Sequence, residues 1–360
     1  MIKIFLRNKN SKKKLKILLK RFFLQAPVKA NRQKIIELLL KLPLPWKIKR
    51  KIMFTFPPPY ETFEGVIEMP KLNLLNPETK EYFLKVAEYW IKEVGIDGWR
   101  LDVANGIPHD FWKEFRNRIK SIKPDAYIMG EVWCVASPWL NGEEFDGVMN
   151  YPLREIMIDF FIKEKINVEE FDSKLAKLRG MIPLQANMTM YNLIGSHDTP
   201  RYLTLCKNNI NKMKLTIIFQ MTYIGAPAIY YGDEIGLTGK GDPDCRKAMI
   251  WEKEKQNREL LEFYKKMIKI RKDFPALRIG KFKTLIKDNE KNIYAYKRED
   301  DVHEVIVILN NDTKNHDVKI DLSREGIYKD VLNEREYISK EKTLIINLKA
   351  KWGAIIIGKK

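Results

Sequence analysis

The chain has 360 residues, which is enough for one large domain and a smaller one. Apolar residues make up 45% and charged residues 31%, as is typical of a globular protein, and no apolar run approaches the roughly 18 residues of a membrane-spanning helix. The net charge of +19 would suggest a nucleic-acid partner, but residues 1–52 hold 17 Lys or Arg against one acid, Glu37, whereas residues 53–360 hold 49 against 46. We therefore expect no membrane span and no nucleic-acid partner.

Residues 1–56 form a basic segment that mixes Lys-rich runs with apolar clusters such as Leu38-Leu39-Leu40. It could be a basic arm for RNA or another anionic surface, an amphipathic surface helix, or an extension without a dedicated role, which we favour. The segment lacks the continuous apolar region and the small-residue cleavage site of a signal peptide. Three widely spaced cysteines without metal-ligand spacing are typical of reduced thiols and indicate a cytoplasmic protein: Cys134, Cys206 and Cys245.

From Pro57 onward, helices alternate with short buried strands. Asn76 and Pro77 predict the N-cap and first residue of a helix that ends at Gly95. Its apolar residues recur at helical spacing: Phe83, Val86, Ala87, Trp90 and Ile91. A second helix is predicted over residues 110–122, with an apolar stripe of Phe111, Phe115, Ile119 and Ile122. Apolar runs predict strands at residues 98–102, 126–130, 145–149, 191–195 and 226–231, so residues 57–275 are expected to form a parallel β/α domain.

The pattern changes after the helix that carries Tyr264. Short strands separated by turn residues are predicted at residues 284–296, 304–309, 317–322, 343–348 and 353–357, with turns at 288–290 and 310–312. This spacing predicts a second domain over residues 276–360, a small all-β sandwich. Nothing in it indicates catalysis.

Three acids each follow an apolar strand: Asp102, Glu131 and Asp198. In a parallel β/α barrel the carboxyl ends of the strands meet at one rim, where active sites lie. Carboxylates that converge in one cleft push their pKa values apart, so one can act as a general acid while another is an ionised nucleophile. Retaining cleavage of a glycosidic bond needs that pair of roles. A single such acid could equally cap the following helix, but three of them indicate a catalytic site.

Three blocks of sequence resemble the alpha-amylase family of glycoside hydrolases: Gly98-Trp99-Arg100-Leu101-Asp102, Gly130-Glu131-Val132-Trp133 and Ser196-His197-Asp198. Residues 69–73, 225–234 and 241–246 resemble its neopullulanase, cyclomaltodextrinase and maltogenic amylase branch. The resemblance covers roughly residues 57–360. It implies a (β/α)8 TIM barrel followed by the all-β domain, and an enzyme that cleaves α-1,4 or α-1,6 glucosidic bonds in maltodextrins, cyclodextrins or pullulan.

The resemblance also implies roles for single residues. Asp102 would be the nucleophile, Glu131 the general acid/base, and Asp198 a third carboxylate that holds sugar hydroxyls and stabilises the transition state. Arg100 would pair with Asp102 and keep it ionised, although an ordinary strand-end salt bridge is the alternative.

Three further residues are predicted to bind substrate. His197 would donate to a sugar hydroxyl, unless it is an imidazole satisfied in the core, and Trp133 would either stack on a sugar face or pack beneath the rim. Asn105, three residues after Asp102, is assigned to substrate binding with them. No cofactor and no metal are expected to be required, and calcium is left open.

The resemblance begins at the fourth strand of the barrel. The family's first three β/α units and its Asn-His motif are not recognisable in residues 1–56, and residues 57–275 fall short of the about 250 residues of a complete barrel. We therefore expect an N-terminally truncated barrel made of strands 4–8, and hypothesise that residues 1–56 come from a truncated or frame-shifted gene. Two functions stay open, a glycoside hydrolase and an inactive relative that only binds sugar or a partner. The oligomeric state is not predicted.

Overall fold

The computed structural model describes residues 45, 47, 60–63 and 66–359, so nearly all of the basic segment, and the predictions made for it, lie outside the described residues. The chain divides into two compact units, Met1–Lys80 and Glu81–Lys360. In the first unit, strands β1 (Thr62–Phe63) and β2 (Val66–Pro70) pair antiparallel. No helix in the described ranges combines the length and the apolar character that a bilayer crossing would require.

Helix α1 (Pro77–Tyr89) begins where the sequence predicts, since Asn76 Oδ1 accepts a hydrogen bond from Thr79 N at 3.0 Å. It continues as a π-helical turn over Trp90–Val94 and ends at Gly95, whose φ of 74° lies in the left-handed region. The apolar residues that recur at helical spacing do not all face the core. Ala87 and Ile91 are buried, but Trp90 is 43% exposed, because the helix carries apolar residues on two faces and only one of them is covered.

Five short parallel strands follow in chain order, as predicted: β3 (Gly98–Leu101), β4 (Tyr127–Gly130), β5 (Gly147–Val148), β6 (Tyr191–Leu193) and β7 (Ala226–Ala228). β3, β4 and β5 form one sheet, β6 and β7 another, and a bridge between Met149 and Tyr191 connects the two. The pairings are parallel. This sequential order is that of consecutive strands in a β/α barrel.

Helices connect the strands: α2 (His109–Ile122), α3 (Tyr151–Met157) with a π turn over Ile158–Ile162, α4 (Val168–Gly180), α5 (Leu184–Thr189), α6 (Tyr202–Leu205), α7 (Ile210–Thr222), α8 (Arg258–Asp273) and α9 (Ala276–Ile279). α2 buries Phe111, Phe115 and Ile119 of its predicted stripe. Residues 213–222 of α7 are all buried, because this helix also contacts the β domain.

The remaining strands build the predicted sandwich: β8 (Lys281–Asp288), β9 (Ile293–Glu299), β10 (His303–Asn310), β11 (His316–Asp321), β12 (Gly326–Asp330), β13 (Arg335–Ser339), β14 (Thr343–Leu348) and β15 (Trp352–Lys359). Six of them form an antiparallel sheet in the order β13-β12-β15-β10-β9-β8, and β11 pairs with β14. Side chains from both sheets share one core. β12 and β13 are absent from the sequence prediction. The domain limits at residues 56 and 275 stay a prediction.

Candidate active site

Arg100 joins two of the three predicted carboxylates. Asp102 follows the last residue of β3, and the period of two along a strand places Arg100 on the same side. The guanidinium of Arg100 forms an ion pair with Asp102 Oδ1, as predicted, and a second with Glu131 Oε2 at 3.0 Å. The Asp102 side chain is 75% exposed, so the pair lies at an open surface.

Glu131 is fixed at the end of β4. The parallel register pairs Leu101 with Gly130, and the ladder continues past the strands, since Glu131 N donates to Leu101 O at 2.8 Å and Ala104 N to Glu131 O at 3.1 Å. The Glu131 side chain is 5% exposed. Its Oε1 accepts from Trp133 Nε1 at 3.2 Å. Both oxygens are therefore held, in contrast to the exposed Asp102.

The backbone directly after Asp102 is strained. Val103 has φ 45° and ψ 46°, in the left-handed region that β-branched residues rarely adopt. Its N–H donates to Glu131 Oε2 at 3.1 Å, and this hydrogen bond stabilises the unusual conformation. The direction in which Asp102 leaves the strand is thus coupled to Glu131.

The surroundings of Asp102 favour its ionised form. Partial burial alone would raise the pKa of Asp102, but the hydrogen bond from Arg100, the neighbouring Glu131 side chain and the positive charge of Arg100 outweigh it, so this pKa lies below its usual range. An ionised, accessible carboxylate is what a nucleophile at a glycosidic carbon requires.

Asp198 lies in the loop after β6 and is held from two sides. His197 Nε2 lies 3.0 Å from its Oδ2, and Arg246 Nη2 lies 3.0 Å from its Oδ1. Arg246 Nε also donates to His197 O at 2.9 Å. No role for Arg246 is predicted from the sequence, although this residue ends the family-like block 241–246, which was the available signal.

Trp133 and Tyr151 connect the β4 and β6 loops. Their rings stack at 3.7 Å between centroids with an interplanar angle of 8°, while the indole stays 51% exposed. Tyr151 OH donates to Ser196 Oγ at 3.2 Å, and burial raises the pKa of Tyr151 to about 12. Trp133 therefore packs on Tyr151 while keeping an exposed face, and the choice between sugar stacking and packing beneath the rim stays a prediction. Asn105 is exposed in the short 3-10 turn Ala104–Gly106.

Arg201 is fully buried and connects the loop after β6 with the loops that hold Tyr231, Asp233 and Cys245. It donates to Cys245 O at 2.8 Å and to Tyr231 O, and it pairs with Asp233 Oδ1 at 3.0 Å. Its guanidinium lies 4.0 Å from the centroid of the Tyr230 ring. Burial raises the pKa of Asp233 to about 7 despite the pairing with Arg201. Asp233 thus fixes the loop after β7.

A continuous series of contacts connects the three carboxylates. It runs from Asp102 through Arg100 to Glu131, then through the Trp133–Tyr151 stack to the loop of Asp198. Within the described residues, no group of three or more His, Cys, Asp or Glu side chains is arranged to hold a metal ion. The expectation that no cofactor is required stays a prediction.

Comparison with known proteins gives two domain matches. Residues 60–280 match the family of the alpha amylase catalytic domain, and residues 285–349 match that of the alpha amylase C-terminal all-beta domain. A cyclomaltodextrinase of Thermoanaerobacter pseudethanolicus is 48% identical over 301 residues, which covers 83% of this chain and 50% of the relative. Neopullulanase 2 of Thermoactinomyces vulgaris is 46% identical over 300 residues, which covers 82% and 51%.

A solved structure of a cyclomaltodextrinase is 44% identical and superimposes with a TM-score of 0.80. The match covers 83% of this chain and 52% of that chain. The chain therefore spans about half the length of the curated relatives it matches.

Proposed function

This chain belongs to the alpha-amylase family, and from that premise we propose that it is a retaining glycoside hydrolase for α-1,4 or α-1,6 glucosidic bonds in maltodextrins, cyclodextrins or pullulan. The observation that carries the proposal is the Arg100 guanidinium, which joins Asp102 and Glu131 at the ends of adjacent parallel strands. A binding module has no need of two linked carboxylates with one exposed and one buried.

In the first step Asp102 attacks the anomeric carbon of the bound glucose unit and forms a covalent glycosyl ester. The bond from that carbon to the leaving oxygen breaks, and Glu131 gives its proton to the leaving oxygen. Arg100 assists because its charge keeps Asp102 ionised before the attack.

In the second step water attacks the same carbon and releases Asp102, while Glu131 takes a proton from the water. Asp198 would hold hydroxyls of the distorted ring, with His197 beside it as a donor and Arg246 fixing its orientation. Trp133 and Asn105 are exposed near these groups and would contact neighbouring sugar units.

The second candidate function is an inactive relative that only binds sugar or a partner. Its specific support is the 75% exposure of the Asp102 side chain. A catalytic carboxylate works best in a site that excludes water, and the described residues leave Asp102 open to it.

Release of reducing sugar from cyclomaltoheptaose decides between the two candidates. The purified chain is compared with an Asp102→Asn variant, whose amide keeps the size of the side chain but cannot act as the nucleophile. Turnover by the wild type that the variant lacks supports the hydrolase. Equal rates in the two proteins would remove it and leave the binding function.

We place the protein in the cytoplasm, where thiols stay reduced, because its three cysteines are free: Cys134, Cys206 and Cys245. α-Glucan oligosaccharides are the proposed partners, with no cofactor.

A further inference from the structure

The hydroxyl group of Ser196 is buried in the loop after β6, directly before His197 and Asp198. Its Oγ accepts two hydrogen bonds, one from Tyr151 OH and one from Asp198 N, both at 3.2 Å. A serine hydroxyl has two acceptor lone pairs and one hydrogen, so Thr199 Oγ1, at 3.4 Å, is the acceptor left for that hydrogen. The hydrogen-bonding capacity of Ser196 is therefore fully used.

These bonds fix the backbone that carries Asp198. Ser196 N donates to Thr199 Oγ1 at 3.0 Å, and Thr199 N donates to Ser196 O at 3.3 Å. Together they close a tight turn with His197 and Asp198 at its centre. The bond from Asp198 N to Ser196 Oγ lies inside this turn and sets the direction in which the Asp198 side chain leaves the backbone.

Tyr151 reaches Ser196 from a separate element of the fold. It is the first residue of α3, and the residue before it, Asn150, is anchored to β6. Asn150 N donates to Tyr191 O at 2.9 Å, and its side-chain amide donates to Asn192 Oδ1 at 2.8 Å. The Tyr151 ring belongs to a buried cluster with Met129, Met149, Leu193 and Ala228. Its hydroxyl group is thus a donor held independently of the loop after β6.

Two buried hydroxyl groups that satisfy each other would by themselves explain the contact between Tyr151 and Ser196. The second bond, in which the same oxygen accepts Asp198 N, connects this contact to one of the three predicted carboxylates. Each oxygen of that carboxylate has a charged or ionisable neighbour at 3.0 Å, His197 or Arg246, and both of these side chains are partly exposed. Ser196 instead acts on the Asp198 backbone from the buried side.

We propose that Ser196 is a positioning residue for Asp198, and that the Tyr151 hydroxyl group holds Ser196 in the orientation this requires. The inference rests on the proposed function, because it concerns how Asp198 meets the hydroxyls of the distorted sugar ring. Contacts made mainly in the transition state act on kcat. A displaced Asp198 therefore lowers kcat more than it raises KM.

Tyr151→Phe separates this role from the aromatic packing of the same residue. The Tyr151 ring stacks on Trp133, whose Nε1 donates to Glu131 Oε1. The variant keeps the ring and this stack and loses only the hydroxyl group. Ser196→Ala removes the oxygen that accepts both hydrogen bonds.

The test compares cyclomaltoheptaose hydrolysis by the wild type, the two single variants and the double variant. The matched control is Tyr202→Phe, which also removes a buried phenol hydroxyl with a 3.2 Å bond to a hydroxyl group, that of Thr216. Urea unfolding checks that every variant folds. A second measurement needs no turnover. Proton–nitrogen NMR spectra follow the His197 imidazole, assigned with His197→Gln, because its Nε2 lies 3.0 Å from Asp198 Oδ2.

We expect Ser196→Ala to lower kcat about tenfold and to change KM by less than about twofold. Tyr151→Phe should have a smaller effect, and the double variant should equal Ser196→Ala, because Tyr151 acts only through Ser196. The His197 signal should shift in both single variants and stay in place in Tyr202→Phe.

An unchanged kcat in Ser196→Ala overturns the proposal, as does a double variant whose loss is the product of the two single losses. An equal loss of kcat in Tyr202→Phe also overturns it, since any lost buried hydroxyl would then have the same effect. A His197 signal that stays in place in both single variants overturns it whether or not the chain hydrolyses the substrate. Shifted signals in a chain without turnover leave the positioning role standing and remove the hydrolase, so the two proposals fail separately.

Discussion

Gly98 is the position where a single methyl group should disturb the candidate site most. It opens β3 opposite Tyr127 of β4, and a Cβ added there would lie 2.1 Å from Tyr127 O and 2.9 Å from Tyr127 N. A carbon atom needs more than 3 Å of separation, so Gly98→Ala has to move the two strands apart by about 1 Å. The obstacle is backbone, and no side-chain rotation relieves it.

The size of the effect follows from this displacement. Forcing an extra methyl group into a packed region typically costs about 1–3 kcal/mol, and the upper part of that range applies where backbone must shift. The pairing of β3 with β4 also determines the 3.0 Å distance between Arg100 Nη2 and Glu131 Oε2. A misplacement of about 1 Å at reacting groups can lower a rate on the order of 100-fold. We therefore expect Gly98→Ala to lower the free energy of unfolding. We also expect it to reduce turnover by more than the decrease in the folded fraction accounts for.

Urea unfolding followed by tryptophan fluorescence measures the first effect, and cyclomaltoheptaose hydrolysis measures the second. The matched control is Gly106→Ala in the next turn, where the nearest atom to an added Cβ is Val103 Cγ1 at 3.7 Å. The free energy of unfolding of this control should equal that of the wild type or exceed it by up to about 1 kcal/mol, because alanine reduces the conformational freedom of the unfolded chain. If Gly98→Ala unfolds at the same urea concentration as the control, the close approach of β3 and β4 is refuted.

Three further outcomes follow from the charged groups. Arg246→Gln should lower turnover at least about tenfold, because Asp198 loses the partner that orients it, yet it should change stability by less than about 1 kcal/mol since the pair is partly exposed. Arg100→Met should move the acidic limb of the pH profile of kcat/KM to higher pH, because the cation that lowers the pKa of Asp102 is gone. The pKa of Asp233 is raised to about 7 in the folded state, against a reference value of 3.8. Between these two pH values the folded protein holds a proton on Asp233 that the unfolded chain releases. The free energy of unfolding should therefore fall as pH rises from 3.8 to 7, by on the order of a few kcal/mol.

Each of these outcomes has its own check. Lys247→Gln removes a neighbouring exposed pair with Asp244 and should leave turnover unchanged, so an equal loss in both variants would contradict the role given to Arg246. An acidic limb that stays in place in Arg100→Met would show that this arginine does not control Asp102. Asp233→Asn should flatten the pH dependence of the unfolding free energy, and an unchanged slope would exclude Asp233 as its source.

The parallel strands could be predicted because each is a short, nearly continuous apolar run, which is what a strand covered on both faces requires. The Arg100–Asp102 contact could be predicted as well, since it depends only on the alternation of side chains along β3. Local pattern was sufficient in both cases.

The contact between Arg246 and Asp198 could not be predicted in this way. The two residues are 48 positions apart, and their meeting depends on the path of loops that no local pattern describes. Strands β12 and β13 were missed for a related reason. Ile327 and Ile338 pair across them on the exposed side, so their apolar residues do not follow a simple buried alternation.

The left-handed conformation of Val103 has a consequence for how substitutions of Glu131 are interpreted. Glu131→Gln keeps an oxygen that can accept the Val103 N–H, so it tests proton transfer with the backbone in place. Glu131→Ala removes that acceptor and lets the turn relax toward an ordinary conformation, which redirects the neighbouring Asp102. Removing the carboxyl group of Glu131 therefore also displaces the carboxyl group of Asp102. The effects of Glu131→Ala and of a substitution at Asp102 on the rate should not be additive.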